Sequence, residues 1–140
     1  MLFPRDVMEY HSNIELLRQD LGNIDNPDIP CHNSNIPILI QAVQYRSLEI
    51  VNVLLQDLRI DVNISAPSSS STFSPAYPLY FAITGNDVEM VDLLLNCDRL
   101  DVNQTELSIQ CRPLHIASRS CTREKILLLL LKHRKLVIPY

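Results

Sequence analysis

Cys111, His115 and Cys121 fall within eleven residues of one another, and two thiols with an imidazole are the residue types that ligate zinc. A structural zinc site takes four ligands, commonly as cysteine pairs two to four residues apart, whereas Cys111 and Cys121 stand ten apart. The one further Cys-His pair, Cys31-His32, is too distant in sequence to be assigned as a partner. His115 could also be read as a general base. There is no Gly-rich phosphate loop, no Gly-x-Ser-x-Gly elbow and no His-Glu-x-x-His. The Asp and Glu residues are scattered as solvated charge rather than paired. The expectation is a chain that is not an enzyme and has no metal and no cofactor.

Charge and apolar content narrow the partners. With 12 Lys and Arg against 16 Asp and Glu the formal net charge is −4, which argues against a groove that tracks nucleic acid. Lys132, Arg134 and Lys135 read as a solvated last turn favoured by the helix dipole. Arg5 and Asp6 interrupt the apolar start, so no signal peptide is expected. The apolar run Ile126 to Leu131 is six residues, against about 20 to span a bilayer. Four cysteines without paired spacing fit a reducing compartment, so the chain is expected to be intracellular, in the cytoplasm. The sequons at Asn63 and Asn103 then read as chance.

The elements that would position any site are set by an internal repeat. Leu48-Glu49-Ile50-Val51-Asn52-Val53-Leu54-Leu55, followed by Ile60-Asp61-Val62-Asn63, returns as Val88-Glu89-Met90-Val91-Asp92-Leu93-Leu94-Leu95, followed by Leu100-Asp101-Val102-Asn103. Arg59 and Arg99, and Ala42 and Ala82, match at the same 40-residue offset. In the first of these helices Leu48, Val51, Leu54 and Leu55 share a face, with Glu49, Asn52 and Gln56 turned away. Ile14-Glu15-Leu16-Leu17 is a degenerate earlier copy, opened by a Ser12/Glu15 capping box and stopped by Gly22. Ser47, Asp87 and Thr122 take the N-cap positions of the later helices. The Ser- and Pro-rich stretch 65–76 reads as an inserted flexible loop, and it lengthens one spacing to 40 where the next copy returns after 35. Without it both approach the period of about 33 of a helix–turn–helix repeat.

Arg112-Pro113-Leu114-His115-Ile116-Ala117 resembles the Thr-Pro-Leu-His-x-Ala signature of ankyrin repeats. Tyr77-Pro78-Leu79-Tyr80-Phe81-Ala82 and Pro37-Ile38-Leu39-Ile40-Gln41-Ala42 occupy the same register, and the Asp-Val-Asn turns resemble the family's inter-repeat hairpin. Arg112 replaces the threonine, and Arg46, Asn86 and Cys121 replace the glycine between the helices. The resemblance implies an all-α ankyrin-repeat solenoid of stacked helix-turn-helix units. Its parts are a degenerate cap at 12–33, a repeat at 36–64, the loop, a repeat at 77–111 and a last repeat at 112–135. It also gives His115 a structural role, bonding backbone and stiffening its turn.

The same resemblance implies non-catalytic protein binding, as an adaptor or competitive inhibitor presenting a concave face. That face is made of hairpin tips and the exposed ends of the first helices: Gln44 and Tyr45, Thr84 and Gly85, Arg119 and Ser120. Tyr and Arg are types that anchor interfaces. Phe73 and Tyr77 add apolar points on the loop, which reads as a partner-reaching arm, a phosphorylation target or a tolerated insertion. Asn63 and Asn103, each preceded by Asp-Val and by Leu eight positions earlier (Leu55, Leu95), match a hydroxylation target of the family. The alternative is that both only close their hairpins. Finally, Leu127 and Leu131 align at the 35-residue spacing with Asp92 and Asn96, so the last helix reads as apolar all round. Its cover would be a further repeat, a second chain in a homodimer, the tail Leu136–Tyr140 or a target protein.

Overall fold

The computed structural model describes residues 5, 7–29, 36–65, 77–103, 113–119 and 123–133. All regular structure among them is helical. Eight helices follow one another: α1 (Val7–His11), α2 (Ile14–Asn23), α3 (Ile38–Gln44), α4 (Leu48–Gln56), α5 (Pro78–Thr84), α6 (Val88–Leu95), α7 (Pro113–Ser118) and α8 (Glu124–Leu131). They form pairs, and the pairs stack in two rows. In one row α1 packs on α3, α3 on α5 and α5 on α7; in the other α2 packs on α4, α4 on α6 and α6 on α8. Leu17, Leu39, Ala42, Val51, Leu54, Ala82, Met90, Val91, Leu94, Ile126 and Leu130 are all buried between the rows. Short helices of this length are not stable alone in water, so each owes its existence to this packing.

Several local signals act differently from their sequence reading. The first unit begins at Val7, because α1 pairs with α2 as a first helix, ahead of the expected boundary at residue 12. Its second helix is capped by Asn13, whose Oδ1 accepts from the Leu16 N–H at 3.3 Å; the Ser12 hydroxyl instead faces the Glu9 carbonyl at 3.5 Å. Asn13 wins because it stands one residue before Ile14, the position that Asp87 holds before Val88. Gly22 lies inside α2, and the helix closes where Ile24 N–H donates to the Asp20 carbonyl at 2.9 Å. Asp87 caps α6 by accepting from Met90 N–H at 3.3 Å, as its type predicts. Ser47 holds the N-cap position of α4 without a side-chain bond. Thr122 lies outside the described residues.

The turns within the second and third units are Schellman motifs. Ser47 N–H donates to the Ala42 carbonyl and Arg46 N–H to that of Val43; Asp87 and Asn86 do the same to Ala82 and Ile83, all at 3.0 Å. The motif needs a left-handed residue, and here it is Arg46 (φ 58°) and Asn86 (φ 53°) in place of glycine. Asparagine adopts this conformation readily, whereas for arginine it costs about 1–2 kcal/mol.

The units are joined by part-buried polar bridges that repeat with the fold. Arg59 donates to the carbonyls of Leu21 (2.6 Å) and Ile24 (2.7 Å), at the end of α2. Arg99 donates to those of Leu55 (2.8 Å) and Ile60 (2.7 Å), at and beyond the end of α4. At the next junction His133 Nε2 takes the equivalent place, 3.1 Å from the Leu95 carbonyl. A cation here satisfies carbonyls that a helix end leaves unpaired and complements the dipole. Replacing Arg99 with Met keeps the apolar stem but strands two part-buried carbonyls. The variant should lose about 2 kcal/mol in urea unfolding, and an unchanged midpoint would show that the bridge contributes nothing.

Candidate partner-binding surface

Stacking places equivalent positions of successive units side by side. The first-helix row therefore ends in one edge made of Gln44 and Tyr45 at the end of α3, Thr84 and Gly85 at the end of α5, and Arg119 just after α7. All five are exposed, and Tyr45 keeps 58% of its surface in solvent. Thr84 turns its hydroxyl to the Tyr80 carbonyl at 3.0 Å, which spends its donor within α5. Two residues that sequence reasoning passed over stand on the same edge. Arg46 donates through Nη2 to the Gly85 carbonyl of the next unit. From the other side Arg123 donates to the Ile116 carbonyl at 3.1 Å and faces that of Thr84 at 3.5 Å. In sequence Arg46 shows only as a cation in a glycine position, and Arg123 carries no signal of its own.

The hairpin edge differs in charge and bonding. Asp61 and Asp101 each accept from the backbone N–H two residues on, Asn63 and Asn103, at 2.9 Å, and so shape their own turns. Asn63 does a different job from the expected hairpin closure. Its Nδ2 donates to the Arg99 carbonyl at 2.9 Å and its Oδ1 accepts from Asp101 N–H at 2.7 Å, which ties one unit to the next. Asp28 stands one junction earlier, its carboxylate accepting from Asp61 N–H at 3.1 Å. Burial, with Asp61 and Asp57 as neighbouring carboxylates, pushes the Asp28 carboxyl above its ordinary value. Asp57 moves the other way, held down chiefly by its hydrogen bond from Arg59 at 2.7 Å. Leu58 beside it is 82% exposed, an apolar point on this edge that the sequence did not single out.

The last helix has a different register from the 35-residue spacing. Pro113, Leu114 and Ala117 follow Pro78, Leu79 and Ala82 at that spacing and are buried like them. In α8, however, Ile126 and Leu130 are the fully buried residues, 36 after Met90 and Leu94. The closing bonds agree: Lys132 N–H to the Leu128 carbonyl matches Asn96 N–H to that of Asp92, both 3.1 Å. One extra residue in the connection between α7 and α8 shifts the helix. Leu128 thus takes the outward position of Asp92 and is 48% exposed, while Leu127 is half-buried against the core. Leu131 is 48% exposed where its counterpart Leu95 is buried.

The remaining sequence candidates are dispersed. Tyr77 is half-buried at the start of α5, and Phe73 and Ser120 lie outside the described residues, as do Cys31, His32, Cys111, Cys121, Arg112 and most of the Ser/Pro loop. His115 is exposed on α7, its carbonyl accepting from the Ser118 hydroxyl at 2.8 Å. Among the described residues no group of three or more His, Cys, Asp or Glu could hold a metal ion, and no helix is long and apolar enough to cross a membrane.

A family model described as ankyrin repeats matches residues 39–138 in three copies. No curated protein matches the chain. The stacking geometry yields a further expectation at the first junction. Asp28→Asn would keep the acceptor for Asp61 N–H, add the donor that Asn63 uses one unit later, and remove a desolvated charge. Because the folded Asp28 carboxyl lies above its unfolded value, the wild type loses stability relative to the variant as pH rises through the carboxylate range. The variant should be more stable by roughly 1 kcal/mol at neutral pH and by less in acid, read by unfolding at both pH values.

Proposed function

Because this chain belongs to the ankyrin-repeat family, whose repeats are generally protein–protein interaction modules, we propose that it binds a protein partner through its concave face and hairpin tips. The family is typically non-catalytic, and the role that follows is that of an adaptor or competitive inhibitor. The supporting observation is the exposed row Gln44–Tyr45, Thr84–Gly85 and Arg119. Tyr45 carries a large amphipathic ring into solvent at small side-chain entropy cost, which is what an interface anchor does. An intracellular, cytoplasmic setting suits a chain with four cysteines in no paired pattern. Asn63 and Asn103 belong to this reading as hydroxylation candidates, and Phe73 and Tyr77 as contacts from the loop. Quantitative affinity capture should lose its partner with Tyr45→Ala/Arg119→Ala and keep it with Asn52→Ala/Asp92→Ala on the outer helices. Loss with both pairs, or with neither, would remove the concave face from the function.

A second reading is favoured by Leu128 and Leu131, each 48% exposed on one helix. A second chain or a further repeat docking there would cover them, giving a homo-oligomer or an extended stack. Light scattering after size exclusion reads this directly. A dimer that Leu128→Asp/Leu131→Asn converts to a folded monomer supports self-association, and a wild-type monomer discards it. Leu127 is the wrong residue to charge in that experiment, because its half-buried side chain packs on the core.

A further inference from the structure

Seven arginines lie among the described residues, and their partners divide them by position. Arg5, Arg18 and Arg59 pair with carboxylates: Arg5 with Glu9 and Asp20, Arg18 with Glu15, Arg59 with Asp57. Arg99 spends its donors on part-buried carbonyls. Arg46 and Arg123 also reach carbonyls, and Arg119 reaches none among the described residues. These three stand together at the turn edge of the second to fourth units, and no ion pair joins any of them to a carboxylate among the described residues.

Two of them converge on adjacent carbonyls. Arg46 reaches Gly85 from one side and Arg123 faces Thr84 from the other, so two guanidiniums flank one Thr-Gly step. Arg123 Nε is buried with no hydrogen-bond partner, a donor left unmatched where an unmatched donor costs free energy. Arg119 extends the row, exposed and without a side-chain bond among the described residues. Asp87, two residues beyond the Thr-Gly step, is committed to the Met90 N–H. Glu49, Glu89 and Glu124 sit in the first turns of α4, α6 and α8, exposed, and bridge none of the three arginines. Arg46 also holds a left-handed backbone where glycine would fold at lower cost, which a binding role would account for.

We propose that this edge, Arg46, Arg119 and Arg123 with Tyr45 beside them, receives an acidic peptide segment of the protein partner. The inference rests on the concave-face reading and adds the chemistry of what occupies it. Guanidinium forks take carboxylates in bidentate pairs, and the aromatic ring takes an apolar residue flanking them. Nucleic acid fits less well. A polyanion long enough to cross the face would meet Asp61, Asp98 and Asp101, exposed along the hairpin edge, on a chain of net charge −4. A short acidic segment touches the basic edge alone.

The test titrates the full 140-residue chain into fluorescein-labelled hexaglutamate, followed by anisotropy, with labelled hexathymidylate in parallel. Hexaglutamate should bind, with affinity falling about tenfold between low and high salt, because exposed pairs are screened. Arg119→Glu should weaken it roughly three- to tenfold with the melting temperature unchanged, since that side chain is exposed and makes no hydrogen bond or ion pair among the described residues. Arg46→Gln should weaken it too, and its melting curve separates a binding effect from a turn effect. Absence of binding at millimolar hexaglutamate, indifference to Arg119→Glu, or tighter binding of hexathymidylate would each overturn the proposal. If hexaglutamate fails while Tyr45→Ala/Arg119→Ala still loses the captured partner, the concave-face reading stands and only the acidic class falls.

Discussion

The guanidinium of Arg99 lies between the end of one helix and the turn of the next unit, bonded to the carbonyls of Leu55 and Ile60. Arg59 repeats the arrangement one junction earlier, and His133 takes its place one junction later. A pair of short helices cannot bury both its apolar faces by itself, so each unit is ordered only by its neighbours. Apolar contact supplies the attraction, but it is non-directional. The bridges fix the relative height of adjacent units, because each carbonyl they reach is held in place by the helix end or turn that carries it. Asn63 does the same from the hairpin side, reading the Arg99 carbonyl and the Asp101 N–H together.

Fixed height is what makes a surface. Once each unit is held level with the last, the ends of α3, α5 and α7 form a continuous edge rather than a scatter of side chains. The two long edges of that face then differ in charge. One collects arginines and Tyr45, and the other collects the aspartates of the turns. Some residues serve both purposes: Arg46 ties its unit to the next through Gly85 while presenting its charge to solvent. Residues that build the stack and residues proposed to meet a partner are thus partly the same, and substitutions at this edge need a stability readout beside a binding one.

The two described ends of the stack are unlike. At the first, α1 lies against α3 and the Val7 N–H donates to the Gln41 side chain, so a polar residue of the first-helix row is covered. At the last, Leu128 and Leu131 keep about half of their surface, with the exposed Lys125 and Lys132 on the same outer side of the helix. An apolar end is the geometry from which a stack grows or a second molecule docks.

Much of this was legible in the chain alone. The 40-residue echo, the leucine spacing within it and the three Pro-Leu-type helix starts determine stacked helix pairs, because periodicity and proline act locally. The cap Asp87 acts locally too, and was readable for that reason. Tertiary structure decided whatever depends on a neighbour. Asn13 rather than Ser12 caps α2, since the cap must precede the helix by one residue in the register the packing selects. Val7 to His11 carry too little pattern to be seen as a helix, yet α3 and α4 give them a surface to cover. Leu127 and Leu128 exchange roles through a single extra residue between α7 and α8, which turns a helix by about 100° and which alignment by spacing cannot detect. Arg46 and Arg123 became candidates only when folding brought them to one Thr-Gly step, from positions 77 residues apart in the chain. Side-chain type fixes what a residue can bond; only the packed stack decides which atoms are there to be bonded.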